Sequence, residues 1–224
     1  MNTGGVSCTT DTLQILGDTS CVATYRLNGD ATDLSGNYNG TATSVTYVAG
    51  QFGDAGSFNG SSSYINLGDP TSTITTANYS ISFWVKTSSI LSSYLIAKYL
   101  TDGSNSSDVF RLTNNTNGTV ALRISTTSGT SLKDVNSTSV INNDIWNNIV
   151  FTVTPTNVNL YINGYLEATG ADTMKAPSTV TRNVTIGRHD AGNNYFNGSI
   201  DQVRIFNRAI TSTEVTTLYN EVAC

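Results

Sequence analysis

Apolar residues along this chain recur at alternate positions in short runs, with clusters of Asn, Asp, Gly, Ser and Thr between them. This is the pattern of half-buried β-strands joined by tight turns. It predicts strands at Val22–Leu27, Ala55–Phe58, Tyr64–Leu67, Tyr79–Lys86, Tyr94–Lys98, Val109–Thr113, Val120–Ser125, Ile145–Thr154, Val158–Ile162, Tyr165–Thr169, Asn183–Gly187 and Gly198–Phe206. In Ile81–Val85 and Ile149–Val153 apolar residues nearly fill the run, as in central strands covered on both faces. Asn163-Gly164 between two runs reads as a type I′ hairpin turn, because both central positions need positive φ, and Pro155-Thr156 marks a second turn upstream. One helix is predicted over Ser212–Glu221. Thr211 and Glu214 have capping-box spacing, and Val215, Leu218 and Val222 share a face, so the helix is expected to seal one edge of a two-sheet sandwich.

Length and composition agree with that architecture. A chain of 224 residues fits one large β-sandwich, read as an N-terminal segment over residues 1–20 and a domain over residues 21–224. Only 12% of residues are charged, so the polar surface is made by Thr, Ser and Asn, which favour strands and turns. A formal net charge of −5 argues against a nucleic-acid partner, because phosphate binding needs clustered Lys and Arg. No apolar run approaches the ~18 residues of a membrane span, and Met1-Asn2-Thr3-Gly4-Gly5 lacks the basic and apolar regions of a secretory signal.

Several stretches, in order, resemble the landmarks of laminin-G-like domains of the concanavalin A-like superfamily. They are Asp33-Leu34-Ser35-Gly36-Asn37-Tyr38-Asn39-Gly40, Phe58-Asn59-Gly60 with Tyr64-Ile65, Ser80–Val85, Val158–Gly164 and Phe196–Arg208. The resemblance runs from about Cys21 to the C-terminus. It implies an all-β jelly-roll β-sandwich of two antiparallel sheets with one short C-terminal helix. Asn147-Asn148 stands where the family often has His-His. The stretch Gly17–Val45 also resembles modules of bacteriophage tail and fibre proteins, which implies display on a virion surface. The family further implies a structural calcium, held by Asp33 and Asp201 with Gly36 and Asn37 as additional oxygen donors. The alternative is that Asp33-Leu34-Ser35-Gly36 is an ordinary Asx-turn.

Catalytic signatures are missing from the sequence. Glu occurs only at 167, 214 and 221, and no predicted strand carries the i, i+2 carboxylates of the glucanase branch. His189 is the single histidine, with no Gly-x-Ser-x-Gly elbow to serve it and too few ligands for zinc. The residues read instead as a lectin-like module for a polysaccharide or cell-surface glycan, or else as an assembly module that contacts neighbouring copies and binds no sugar. Two candidate ligand sites stand out. The loop His189-Asp190-Ala191-Gly192-Asn193-Asn194-Tyr195 combines amides with one aromatic, and Arg111 and Arg123 lie on strands expected to be neighbours, where they face an acidic sugar or serve solubility.

The three cysteines bear on organisation. Val6-Ser7-Cys8 resembles Val222-Ala223-Cys224, which fits one unit of a tandem array with a period of about 216 residues. On that reading Cys8 pairs with Cys21 in an oxidising, extracellular setting. A Cys21–Cys224 link and three free thiols remain the alternatives.

Overall fold

The computed structural model describes residues 13–98, 109–126, 132–179, 182–189 and 193–221. Its strands are β1 (Cys21–Tyr25), β2 (Thr41–Thr43), β3 (Thr46–Ala49), β4 (Asp54–Asn59), β5 (Tyr64–Asn66), β6 (Tyr79–Lys86), β7 (Ser93–Lys98), β8 (Phe110–Asn114), β9 (Thr119–Ser125) and β10 (Leu132–Val140). They continue with β11 (Asn147–Val153), β12 (Asn157–Ile162), β13 (Tyr165–Ala171), β14 (Thr185–Ile186) and β15 (Asn197–Phe206), and the chain then forms helix α1 (Ser212–Tyr219).

Two antiparallel sheets stack as a jelly-roll sandwich. Sheet I runs β13-β12-β11-β6-β15-β4-β3, with β1 paired to the C-terminal half of β15, and sheet II runs β10-β9-β8-β7-β14-β5-β2. The main core lies between them, where Tyr79, Phe83 and Phe151 of sheet I meet Phe110, Leu112, Leu122 and Ile186 of sheet II. The two apolar-filled runs are neighbours as well as central, with Ile149 opposite Phe83 and Phe151 opposite Ile81.

A second apolar cluster explains why β6 and β11 are buried on both faces. Val215 and Leu218 of α1, with Ile15 and Ile210, pack on Val150, Tyr161 and Phe206 on the outer surface of sheet I. Leu13 and Leu16 pack against the same cluster. The helix therefore covers a sheet face, which corrects the expectation that it seals an edge. Val222, counted on the helix face, lies outside the described residues. The capping box forms as expected, with the Glu214 N–H donating to Thr211 Oγ1 at 3.3 Å and the Thr211 N–H donating to Glu214 Oε2 at 2.7 Å.

Three strands carry no clear alternation in sequence: β2, β3 and β10. All are at sheet edges, and the sides of β2 and β3 are mostly exposed. Asn163 (φ 52°) and Gly164 (φ 82°) make the I′ turn between β12 and β13.

Candidate functional site

Alternation along the strands of sheet II divides its residues cleanly. Phe110, Leu112 and Asn114 of β8 point inward while Arg111 and Thr113 point out, and on β9 Thr119, Ala121 and Arg123 are the outward set. Register then assembles two rungs on the outer face. Asp134, Arg123 and Arg111 are directly opposite one another across β10, β9 and β8, and Asn136, Ala121, Thr113 and Tyr94 form the next rung across to β7. Placing two arginines opposite each other is unfavourable alone. Asp134 offsets it by accepting from both Nε and Nη2 of Arg123, the latter at 2.6 Å.

These residues, with Ser92 and Asn115, line an open depression of about 270 Å³. Its floor is mostly hydroxyl, amide and guanidinium, and it has one aromatic side chain, Tyr94. Tyr94 also anchors the second sequence candidate. The His189 ring meets it edge-on, with centroids 4.7 Å apart, and the Tyr94 N–H donates to the Asn194 carbonyl at 3.1 Å. Next to it, the Arg188 carbonyl accepts from Thr185 Oγ1 at 2.7 Å and the Arg188 guanidinium lies 3.4 Å from the centre of the Tyr64 ring.

The loop and the arginine pair, read separately in sequence, thus meet through one tyrosine. Within the loop, roles differ from the expectation. His189 is only 3% exposed and acts as a packing residue. Asn193 and Asn194 are exposed and Tyr195 is half-buried, while Asp190 lies outside the described residues. Sequence reasoning missed Tyr94, Thr113, Asp134 and Asn136. Tyr94 and Thr113 are outward positions in strands that were recognised, and the other two belong to β10.

The aspartates singled out for a cation are in different situations. Asp33 is 1% exposed, and both of its oxygens are taken by protein donors. Oδ1 accepts from the N–H groups of Thr24 (2.9 Å) and Ser35 (3.2 Å), and Oδ2 accepts from the Ser35 hydroxyl and the Tyr38 N–H (3.2 Å). Gly36 (φ 73°) and Asn37 form the exposed tip of this turn. The loop is the Asx-turn alternative realised, and it fastens residues 33–38 to β1.

Asp201 sits opposite Trp84 on the outer face of sheet I, fully buried, at a bulge where Gln202 takes φ 50°. Its Oδ2 accepts from the Gln51 and Phe52 N–H groups, each at 2.9 Å, whereas Oδ1 is buried with no hydrogen-bond partner. Burial pushes its pKa up to about 7 against the pull of the Phe52, Gln202 and Gln51 N–H groups and of Arg204. Asp33 and Asp201 share no hydrogen-bond partner. Among the described residues, no group of three or more His, Cys, Asp or Glu side chains gathers to hold a metal.

Cys21 is a free, buried thiol, with Sγ 3.2 Å from Thr24 Oγ1 and 3.5 Å from the Ala23 carbonyl. Its side chain is turned into the cluster beneath α1, and burial raises its pKa, while the expected Cys8–Cys21 bridge falls on a residue that is not described. Cys8 and Cys224 lie outside the described residues.

No curated protein matches the sequence. Among solved structures, domain 4 of AbnA, a GH43 extracellular arabinanase from Geobacillus stearothermophilus solved with arabinotriose, is similar with a TM-score of 0.72 at 23% identity. The match covers 90% of this chain and 98% of that one. The binding domain of Paraclostridial Mosquitocidal Protein 1 (TM-score 0.69, 18% identity) is covered to 52% by 90% of this chain. The binding domain of botulinum neurotoxin DC, solved with rat synaptotagmin II (TM-score 0.67, 16% identity), is covered to 51% by the same share. This chain therefore spans about half of those two toxin domains, and at these identities the likeness is one of fold. Residues 59–216 match the laminin-G-like family directly, and the chain belongs to the concanavalin A-like lectin/glucanase superfamily.

Proposed function

We propose that this domain is a non-catalytic carbohydrate-binding module whose ligand lies on the outer face of sheet II. The observation that carries the reading is the depression of about 270 Å³ where Arg111, Arg123 and Tyr94 converge, with His189 and Asn194 against Tyr94. A polyhydroxylated ligand needs many donors and acceptors in a fixed array, with an aromatic surface for its C–H groups, and this floor offers both. Arabinotriose in the AbnA domain supports a sugar ligand in this fold. Guanidinium groups favour a chain that carries carboxylate or sulfate. Retaining or inverting hydrolysis uses two carboxylates. Among the described residues the depression has one, Asp134, and it is bonded to Arg123. A glycan array run with the protein and with Tyr94→Ala tests the reading. Binding that Tyr94→Ala weakens supports it, and a silent array overturns it.

A structural calcium belongs to the same proposal. The orphaned, buried Oδ1 of Asp201 is the group that fits a hard cation, since an unpaired carboxylate oxygen in the interior is costly. The ion would neutralise that carboxylate, while Oδ2 already ties residues 51–52 to β15. Asp33, Gly36 and Asn37 serve the neighbouring turn. Extracellular or virion display is the setting that suits a glycan ligand.

A second reading, an assembly module that contacts copies of itself, draws on Ile90 and Leu91, which are 64% and 66% exposed. Concentration-dependent sedimentation together with a silent array would favour it.

A further inference from the structure

The β12–β13 hairpin and the C-terminal end of α1 enclose a cleft of about 160 Å³, lined by Asn163, Gly164, Tyr165, Thr216, Tyr219 and Asn220. It is built on sheet I, away from the strands that carry the depression. Its walls are fixed from beneath. Asn163 Oδ1 accepts from the Asn148 N–H at 2.8 Å, and its Nδ2 donates to Asn147 Oδ1 at 3.0 Å. Asn147 in turn donates to Asn143 Oδ1 and to the Ile145 carbonyl, each at 3.0 Å. Gly164 lies against Tyr219 so closely that a Cβ there would be 3.3 Å from its Cδ1. Tyr219 stacks on Trp84, with centroids 5.8 Å apart and planes at 22°, and Trp84 meets Phe52 edge-on at 5.7 Å. On this base Tyr165 stands 75% exposed.

We propose that this cleft is a second carbohydrate subsite that takes one neutral sugar residue. None of its six lining residues is charged, in contrast to the arginines and aspartate of the depression. Tyrosine rings give the apolar face of a sugar a contact that costs little side-chain entropy, the Asn220 amide offers its hydroxyls a polar partner, and the Thr216 oxygen, whose proton goes to the Ser212 carbonyl at 3.1 Å, is left to accept. The small volume suits a single ring. A stable protein interface instead clears about 1,000 Å² of buried surface. The fixed hairpin adds preorganisation, which lowers the ordering cost of binding. The amide network that holds it uses Asn147 and Asn148. The inference stands independently of the depression, and the two sites would select different classes of sugar.

The test is a titration of the ¹⁵N-labelled protein, followed by NMR, with arabinotriose, cellotriose and maltotriose. The amides of Gly164, Tyr165, Tyr219 and Asn220 should shift with at least one of them. Tyr165→Ala should weaken that binding about tenfold or more, and because Tyr165 is exposed the variant should fold. Ala121→Trp, which fills the depression, should leave these shifts intact, so failure at one site is distinguishable from failure at the other. Unmoved amides with all three probes would overturn the proposal. So would shifts that follow protein concentration instead of sugar, which would make the cleft a contact between copies.

Discussion

Arg204 is a fully buried arginine on the outer face of sheet I, neutralised by Glu221, which it meets through Nη1–Oε1 at 2.6 Å and Nη2–Oε2 at 2.9 Å. Neither side chain is more than 1% exposed. Removing one partner of a buried pair leaves an uncompensated charge, so Glu221→Gln should cost about 3 kcal/mol in urea unfolding with little change in m-value. A loss below about 1 kcal/mol would show that the pair is solvated. Asp201 makes the opposite prediction. In chelator, Asp201→Asn should melt at or above the unsubstituted protein, because it removes a buried charge but keeps an acceptor for Gln51 and Phe52. With calcium at a hundred times its Kd, the unsubstituted protein should gain about 2.7 kcal/mol and the variant nothing. Equal midpoints with and without calcium in both proteins would remove the ion from the account. Asp201 was singled out in the sequence as a cation ligand, whereas the Arg204–Glu221 pair was not. An arginine inside Gln202-Val203-Arg204-Ile205-Phe206 implies a cover over that strand, but the spacing does not say that the cover is the chain returning 17 residues later.

The helix and the N-terminal segment are clamped by Arg208, which binds Asp18 Oδ2 at 2.7 Å and Glu214 Oε1 at 2.6 Å. Hydrogen bonds from Ser20 hold Asp18 at about 2, and those from Arg208 hold Glu214 at about 2. Both folded pKa values lie below the ordinary carboxylate range. Their contribution is therefore present above about pH 4 and is lost as pH falls toward 2. The groups are partly exposed, so each pair should contribute only about 0.2–1 kcal/mol. Arg208→Met should lower the melting point at pH 6 and flatten its decline between pH 4 and 2. An unchanged acid limb would place the acid lability elsewhere.

At this scale the sequence was most legible where strands are buried on at least one face. The predicted Tyr79–Lys86 coincides with β6, and the helix cap forms as read. It was least legible at sheet edges. In β10 Val135 is buried while Asn136, Thr138, Ser139 and Val140 are exposed, so its pattern resembles a loop. The two sheets nevertheless meet at that edge, where Glu167 of β13 accepts from the Thr138 and Ser139 N–H groups at 3.0 Å each.

For the whole molecule, the consequence is that the two faces of the sandwich are open to ligand to different extents. The helix and the N-terminal segment cover part of the outer face of sheet I, whereas sheet II presents the depression. The arginines and the loop were both visible in sequence, but their convergence depends on cross-strand register, which spacing along the chain does not contain. Incubation with a polysaccharide panel should release no reducing ends. Release abolished by substituting one Asp or Glu would overturn the non-catalytic reading.

The measurement that bears most directly on the central claim is the affinity of Ala121→Trp for whichever glycan the unsubstituted protein binds. Ala121 lies in the floor of the depression with its side chain outward, so a tryptophan there fills the site without removing a hydrogen bond. The account predicts that binding of an acidic glycan is lost while the melting midpoint stays within a few degrees. Undiminished binding by a folded Ala121→Trp would contradict it.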